Sequence, residues 1–418
     1  MIAAALGLLA LFGLPLFVVI SALALLAFHS IGVDLSAVII EMSRLSNTPM
    51  LISLPLFIFM GILLAESKAP DRLLALSDRY LSWMPGGMAV VSLLLCAIFT
   101  AFTGASGITI FALGGLLYPA LIADRYQERF SLGLLTTGGS LGLLFPPSLP
   151  IILFGVISET SVDTLFKAGI IPGTLTLVIL GFYCLFASRK NSVNKSNPTP
   201  RTVGKHQGMY WEFPLPFIVL GGIYGGLLVV GEAAAVAALY ALVVEVIILR
   251  DIPWRRLPAI VIKSMTLFGG ILVILAASMA TTNFLVDQQI PNQLFNIISR
   301  YITSKYTFLI LLNIFLLAVG AMLDIFSATV LVVPLIVPVA VAYHVNLIHL
   351  GIIFLTNLQI GYCTPPVGLN LFLASYRFNK PIPELYRACL PFLFLLLLCL
   401  GLITFFPSLS LFLTGTRI

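Results

Sequence analysis

Charge is scarce in this sequence: 9% of its 418 residues are charged and 60% are hydrophobic, whereas soluble domains carry roughly a quarter charged residues. A water-soluble fold has no place for that much apolar surface. Apolar runs of roughly 20 residues, long enough to carry a helix through a ~30 Å hydrocarbon core, recur from Met1 to Leu413. Histidine is rare too, and His29, His206, His344 and His349 show no mutual spacing for metal or catalysis, so each is read as a boundary or loop residue. Cys96, Cys184, Cys363, Cys389 and Cys399 sit inside apolar stretches without metal-ligand spacing, which excludes a disulfide framework and a zinc site. No Ser-His pair, His-Glu-x-x-His motif or paired intramembrane Asp is present, so a membrane-embedded enzyme is not expected. The run from Ile2 to Phe28 lacks a basic n-region and a small-residue cleavage site; it is expected to be retained, with Gly13 and Pro15 breaking it into two short helices.

What hydrophilic sequence there is falls in one place. From Ser188 to Trp211 the chain carries Arg189, Lys190, Lys195, Arg201 and Lys205 and no acid before Glu212, the pattern of a cytoplasmic loop. The net charge of +6 thus marks topology, not nucleic acid. Counting outward, Lys68, Arg72, Arg79, Arg125 and Arg129 fall inside, as do Arg250, Arg255, Arg256, Arg377 and Lys380, provided that some segments re-enter instead of crossing. Glu232 and Glu245 are expected to have scaffold or helix-cap roles.

The two sides of that linker repeat each other at a shift of 219 residues. Pro119 pairs with Pro338, Gly142 with Gly361, Pro146 and Pro147 with Pro365 and Pro366, and Pro172 with Pro391. If each half has an odd number of crossings, the second copy is inverted, a transporter architecture. Pro-Pro within an apolar run removes two N–H donors and disfavours helix before it, so each copy should be a broken helix with an unwound joint. Such a joint persists in lipid only where protein, water or ligand satisfies it. Half-helices starting near Ser148 and Gly368 can present N–H groups to a carboxylate, and those ending near Gly142 and Gly361 can present carbonyls to a cation such as Na⁺.

Before each joint lies a segment expected to be a re-entrant hairpin, turning at Phe102-Thr103-Gly104-Ala105-Ser106-Gly107 and again near Gly320 to Ser327. Gly-Ala-Ser-Gly serves close ion approach or helix packing alike. Asp324 is the informative charge: it couples to a cation or shapes the site, or else is solvated at a hairpin tip. Asn357 and Gln359 are ligands or interhelical hydrogen-bond groups. Thr103, Gly104, Ser140, Ser148, Asn357, Gln359 and Gly368 are the substrate-binding candidates.

Several stretches carry a family resemblance: GGSLGLLFPPS at Gly138 to Ser148, TLFKAGIIPG at Thr164 to Gly173, GEAAAVAALYAL at Gly231 to Leu242, and NLQIGYCTPPVGLNLF at Asn357 to Phe372. The chain resembles the large, DctM-like membrane subunit of tripartite ATP-independent periplasmic (TRAP) transporters over nearly its whole length. The resemblance implies an all-α integral membrane protein of the bacterial inner membrane, an inverted-repeat elevator-type transporter with two re-entrant hairpins and two broken helices. It implies Na⁺ as coupling ion and no other cofactor, a separate small membrane subunit, a periplasmic substrate-binding protein, and a small organic anion such as a C4-dicarboxylate or sialic acid. It places one sodium site at Ser106, Gly107, Gly142 and Pro146 and a second at Asp324, Gly361, Thr364 and Pro366. At the first tip this chain departs from the family's longer Ser-Gly-Ser and Ala-Thr run, having fewer hydroxyls.

The expected division is scaffold helices and arm at 1–84, the first hairpin and broken helix at 85–163, a closing helix at 164–188 and the linker at 189–212. The second repeat follows with scaffold and arm at 213–303, hairpin and broken helix at 304–383 and a final helix at 384–418. Amphipathic segments near Asp34 to Arg44 and Trp254 to Lys263 are the expected arms. The rival readings are a stand-alone ion-coupled carboxylate carrier without a binding protein, and a channel.

Overall fold

A computed structural model describes residues 16–44, 49–81, 87–190 and 210–415. The Gly13–Pro15 break and the basic linker at 191–209 lie outside the described residues. Every regular element among the described residues is helical, as lipid requires of a chain that must satisfy its backbone within each segment. Seven of these helices are long and apolar enough to cross a membrane, and two bent pairs raise the number to nine if each is one span.

The first half runs α1 (Leu16–Ser30), α2 (Ser36–Arg44), α3 (Ser53–Glu66), α4 (Ala69–Leu81), α5 (Gly87–Thr103), α6 (Ser106–Ala123), α7 (Glu128–Gly138), α8 (Leu149–Ile157) and α9 (Val162–Lys190). The second runs α10 (Pro214–Tyr224), α11 (Val230–Leu242), α12 (Leu257–Asp287), α13 (Ile290–Tyr301), α14 (Lys305–Met322), α15 (Ile325–Ala342), α16 (Leu347–Gly361), α17 (Leu369–Phe378) and α18 (Ile382–Phe405), with α19 (Ser408–Leu411) at the end. The shift of 219 carries α6 onto α15 end to end, so the proline register marks equivalent elements.

Two differences separate the halves. The segment expected as an arm at Trp254 to Lys263 runs into α12, one helix of 31 residues, whereas its first-half equivalent is split into α2 and α3. Pro49, which opens the 3₁₀ turn Pro49–Ile52 before α3, stands where the second half has Phe268, and proline suits the start of a helical segment better than its middle. The last turns of α11 widen into a π-helix over Val243–Ile248.

Helices α3 and α12 pack on each other and make a frame with α1, α2 and α11. Against it lie the hairpins and broken helices, cross-braced between the repeats. The first helix of each hairpin packs on the first half-helix of its own repeat, α5 on α7 and α14 on α16; the second packs on the half-helix of the other repeat, α6 on α17 and α15 on α8.

The frame is pinned by one buried cation. Arg72 of α4 is 2% exposed and donates from Nε to Glu212 at 2.5 Å, from Nη2 to Glu245 at 2.6 Å and from Nη1 to Asp251. A charge this deep persists only when paired, and the pairing draws together α4, the turn that precedes α10, the π-helical end of α11 and the loop before α12. Elsewhere Lys380 pairs with Glu128 at 2.6 Å, and Arg129 donates from Nη2 to the Arg387 carbonyl at 2.9 Å. The Glu128 contact holds the Lys380 ammonium above its ordinary pKa. These ties bring Arg129, in the first turn of α7, and the loop bearing Lys380 to one face of the molecule, as expected of the positive-inside count.

Candidate functional site

The proline pairs do interrupt both helices where the sequence indicates. In the first copy α7 ends at Gly138, a 3₁₀ turn covers Leu141–Leu144, and α8 starts after Ser148; in the second α16 ends at Gly361 and α17 starts after Gly368. Gly368 has φ +61°, a left-handed backbone that suits glycine. The two broken helices meet at symmetry-equivalent residues: the Ser140 hydroxyl donates to the Gln359 carbonyl at 3.3 Å.

Glycines let each hairpin lie directly on a joint. A Cβ on Gly361 would fall 2.6 Å from Gly320 Cα and 2.8 Å from Ala321 N, and one on Gly142 would strike the Ala97–Ala101 turn of α5. With the backbones this close, the Ala321 carbonyl accepts from Gly368 N at 3.0 Å and Val367 N at 3.2 Å. Those bonds satisfy part of the unwound joint from the hairpin.

The two tips end differently. At the second, Asp324 is the N-cap of α15: its Oδ1 accepts from Phe326 N and Ser327 N at 3.0 Å each, and its Oδ2 accepts from the Ser327 hydroxyl. Tyr362 Oη, from the neighbouring joint, accepts the Ile325 N–H at 2.5 Å. At the first tip Ala105 stands in place of Asp324 and Leu143 in place of Tyr362, and the N-terminus of α6 has no side-chain cap. One helix start is therefore closed by oxygens, and the other is open and partially positive.

Both tips line one cavity of about 630 Å³, within the usual range for small-ligand sites. Of the sequence-derived candidates, Gly104, Ser106, Gly107 and Asp324 line it. Gly104 has φ +64° and packs on Leu149, while Gly107 faces Leu373 of α17. The remaining candidates do not line it; most are buried, while Thr364 is half-buried and Pro366 exposed. Thr103 and Ser148 are buried, Thr364 donates to the Ile360 carbonyl at 3.0 Å, and Asn357 donates to Asn313 at 2.6 Å. Pro146 opens the cis Pro146-Pro147 pair of the first joint and Pro366 closes the cis Pro365-Pro366 pair of the second.

Sequence reasoning missed several participants. Thr100 donates to the Gly139 carbonyl at 2.9 Å and lies 2.7 Å from the Thr109 hydroxyl, forming a buried polar cluster under the first tip. Asn370 donates to the Thr136 carbonyl at 3.2 Å and links the two broken helices. Tyr362 was visible as a phenol inside the second joint motif; Glu66 and Lys263, which also line the cavity, gave no local signal. Oδ1 of Asn357 and Asn370, Oε1 of Gln359 and Oγ of Ser148 are buried without a hydrogen-bond partner. Such oxygens are hard donors of the kind that Na⁺ or a polar ligand takes up.

The family model for the tripartite ATP-independent periplasmic transporter, DctM component, matches residues 1–409. This chain belongs to that family. It is 32% identical to the C4-dicarboxylate TRAP transporter large permease protein DctM of Pseudomonas aeruginosa, covering 89% of this chain and 88% of that one. It is 30% identical to the ectoine/5-hydroxyectoine large permease UehC of Ruegeria pomeroyi, over 96% and 95% of the two. The isethionate permease DctMQ of Oleidesulfovibrio alaskensis is 32% identical over 87% of this chain, which spans 58% of its length. In fold the chain is similar to the crystal structure of the Alcanivorax borkumensis YdaH transporter, with a TM-score of 0.64 at 14% identity, covering 89% of this chain and 87% of that one. The relatives are named as transport permeases, not enzymes. As a TRAP large permease the chain is a multi-pass inner-membrane protein.

Proposed function

We propose that this permease imports a small organic acid by sodium symport, receiving it from a periplasmic substrate-binding protein and working beside a separate small membrane subunit. The observation that carries the reading is the convergence of two unlike hairpin tips on one cavity. The open N-terminus of α6 attracts an anion, and the carboxylate of Asp324 across from it attracts a cation. Sodium binds where each tip meets its joint, near Ser106, Gly107, Gly142 and Pro146 and near Asp324, Gly361, Thr364 and Pro366. The orphan oxygens along the broken helices support such ligation.

In this reading the hairpins re-enter the membrane and move with the broken helices as one body against the α3–α12 frame. Ion binding orders the tips, the tips complete the anion site, and the rigid shift exposes it to the other side. The substrate class follows the relatives' names, which span a C4-dicarboxylate, isethionate and ectoine; sialic acid is a further candidate from the family resemblance.

The test is uptake into proteoliposomes holding this chain and its small membrane partner, with an inward Na⁺ gradient, with and without the binding protein. Uptake needing both is the expected result. Na⁺-driven uptake without the binding protein would establish the stand-alone carrier instead, and Na⁺-independent flux would remove both ion sites.

A further inference from the structure

We propose that Lys263 is the cationic contact for the substrate's anionic group, held by Glu66 until the anion arrives. The inference deepens the transport reading above and rests on it. Lys263 is the only cation among the described residues that line the cavity, against two acids, Glu66 and Asp324. An anion entering that lining meets net repulsion unless Lys263 is free to face it.

The two acids differ in what they are doing. Asp324 is committed to the start of α15 through the Phe326 and Ser327 amides and the Ser327 hydroxyl. Glu66 has one described ionic partner, Lys263, whose Nζ lies 2.5 Å from its Oε1. That pair is solvated, its side chains 60% and 44% exposed for Lys263 and Glu66, and an exposed ion pair is weak. A carboxylate or sulfonate held at the open tip of α6 can therefore displace Glu66 with little loss, and the flexible four-carbon lysine stem can follow it.

The location adds direction. Glu66 ends α3 and Lys263 lies on α12, both in the frame, whereas Gly104, Ser106, Asp324 and Tyr362 belong to the hairpins and joint. Lys263 would contact the anion in this arrangement of the two bodies and lose it when they shift. The contact makes recognition stronger on one side of the cycle than on the other.

Glu66→Gln and Lys263→Met separate recruitment from a structural latch because they should move KM in opposite directions. Uptake of a radiolabelled C4-dicarboxylate and of isethionate is measured in the reconstituted permease with its small subunit and binding protein. Glu66→Gln frees the lysine and should lower KM several-fold. Lys263→Met should raise KM by about tenfold, the size of one charge-assisted hydrogen bond, with kcat little changed. Lys263→Arg should stay near wild type, and the double variant should follow Lys263→Met. Zwitterionic ectoine should show smaller KM shifts than the two anions in both single variants. Equal impairment by both single variants, or a Lys263→Met variant with unaltered KM, overturns the inference while wild-type uptake upholds the transport reading. Failure of wild-type protein to move any of these solutes overturns that reading, and this inference with it.

Discussion

Asp324 is the N-cap of α15 and, in the proposed function, a sodium ligand, and substitution separates the two. As an N-cap it satisfies two amides of α15; Asp324→Ala should cost about 1 kcal/mol, typical of a lost cap, visible as a lower melting temperature. Asn caps as well as Asp does but carries no charge, so Asp324→Asn should melt near wild type and yet lose the Na⁺ dependence of uptake. Retained sodium dependence in that variant would take the second ion site away from this carboxylate. Glu212 makes a separate prediction. Burial, partly offset by Arg72 and reinforced by Glu245, pushes its pKa from the ordinary 4.5 up to about 7. The folded protein then keeps a proton that the unfolded chain releases above pH 4.5, so this contribution to stability falls as pH rises through 7. Melting in detergent between pH 5 and 8 should show the decline, and Glu212→Gln should flatten it; a wild-type curve flat over that range would contradict the assignment.

At the scale of elements, the hairpins and joints depend on backbones touching where a side chain cannot fit. Gly361→Ala and Gly142→Ala each insert a methyl group against the backbone of α14 or α5. Overpacking of this kind costs about 1–3 kcal/mol, and the displaced hairpin should lose transport before the protein loses its fold. Gly181, in α9, has nothing within 4 Å of an added Cβ, so Gly181→Ala should be neutral in both uptake and melting. Equal tolerance at all three positions would mean that the close approach does not matter to the cycle.

For the whole molecule, the Arg72 cluster decides whether the frame stays in one piece. Arg72→Met leaves three carboxylates without their cation, two of them deeply buried. Breaking a buried pair typically costs about 3–5 kcal/mol, so the variant should show a large drop in melting temperature. Lower pH should rescue it partly, since protonating Glu212 and Glu245 removes the unpaired charge. A variant melting like wild type would show that the frame is held by its apolar contacts alone. The hairpins and broken helices hold no comparable buried cation among the described residues: across the repeats they are tied by the Ser140–Gln359, Asn370–Thr136 and Arg129–Arg387 hydrogen bonds and by Lys380–Glu128 at an exposed edge.

Sequence alone determined what is periodic, proportionate or locally forbidden. Scarce charge and recurring apolar runs require a membrane-spanning helical chain, the register of prolines at 219 gives the repeat, and Pro-Pro marks the joints after α7 and α16. Two adjacent prolines remove two N–H donors and the second drives the first out of helical geometry, whereas the single prolines of α6, α9, α15 and α18 are carried inside their helices. Gly142 and Gly361 were legible from the same register, and Asp324 as a carboxylate in an otherwise apolar stretch. What only the tertiary structure decided is which distant residues meet. Nothing local tells Arg72 that its partners are Glu212, Glu245 and Asp251, brings Lys263 to Glu66 beside the tips, or sets α6 on α17 of the other repeat. Those pairings arise from how helices stack in three dimensions, and sequence periodicity carries the face of a helix without naming the neighbour it will cover.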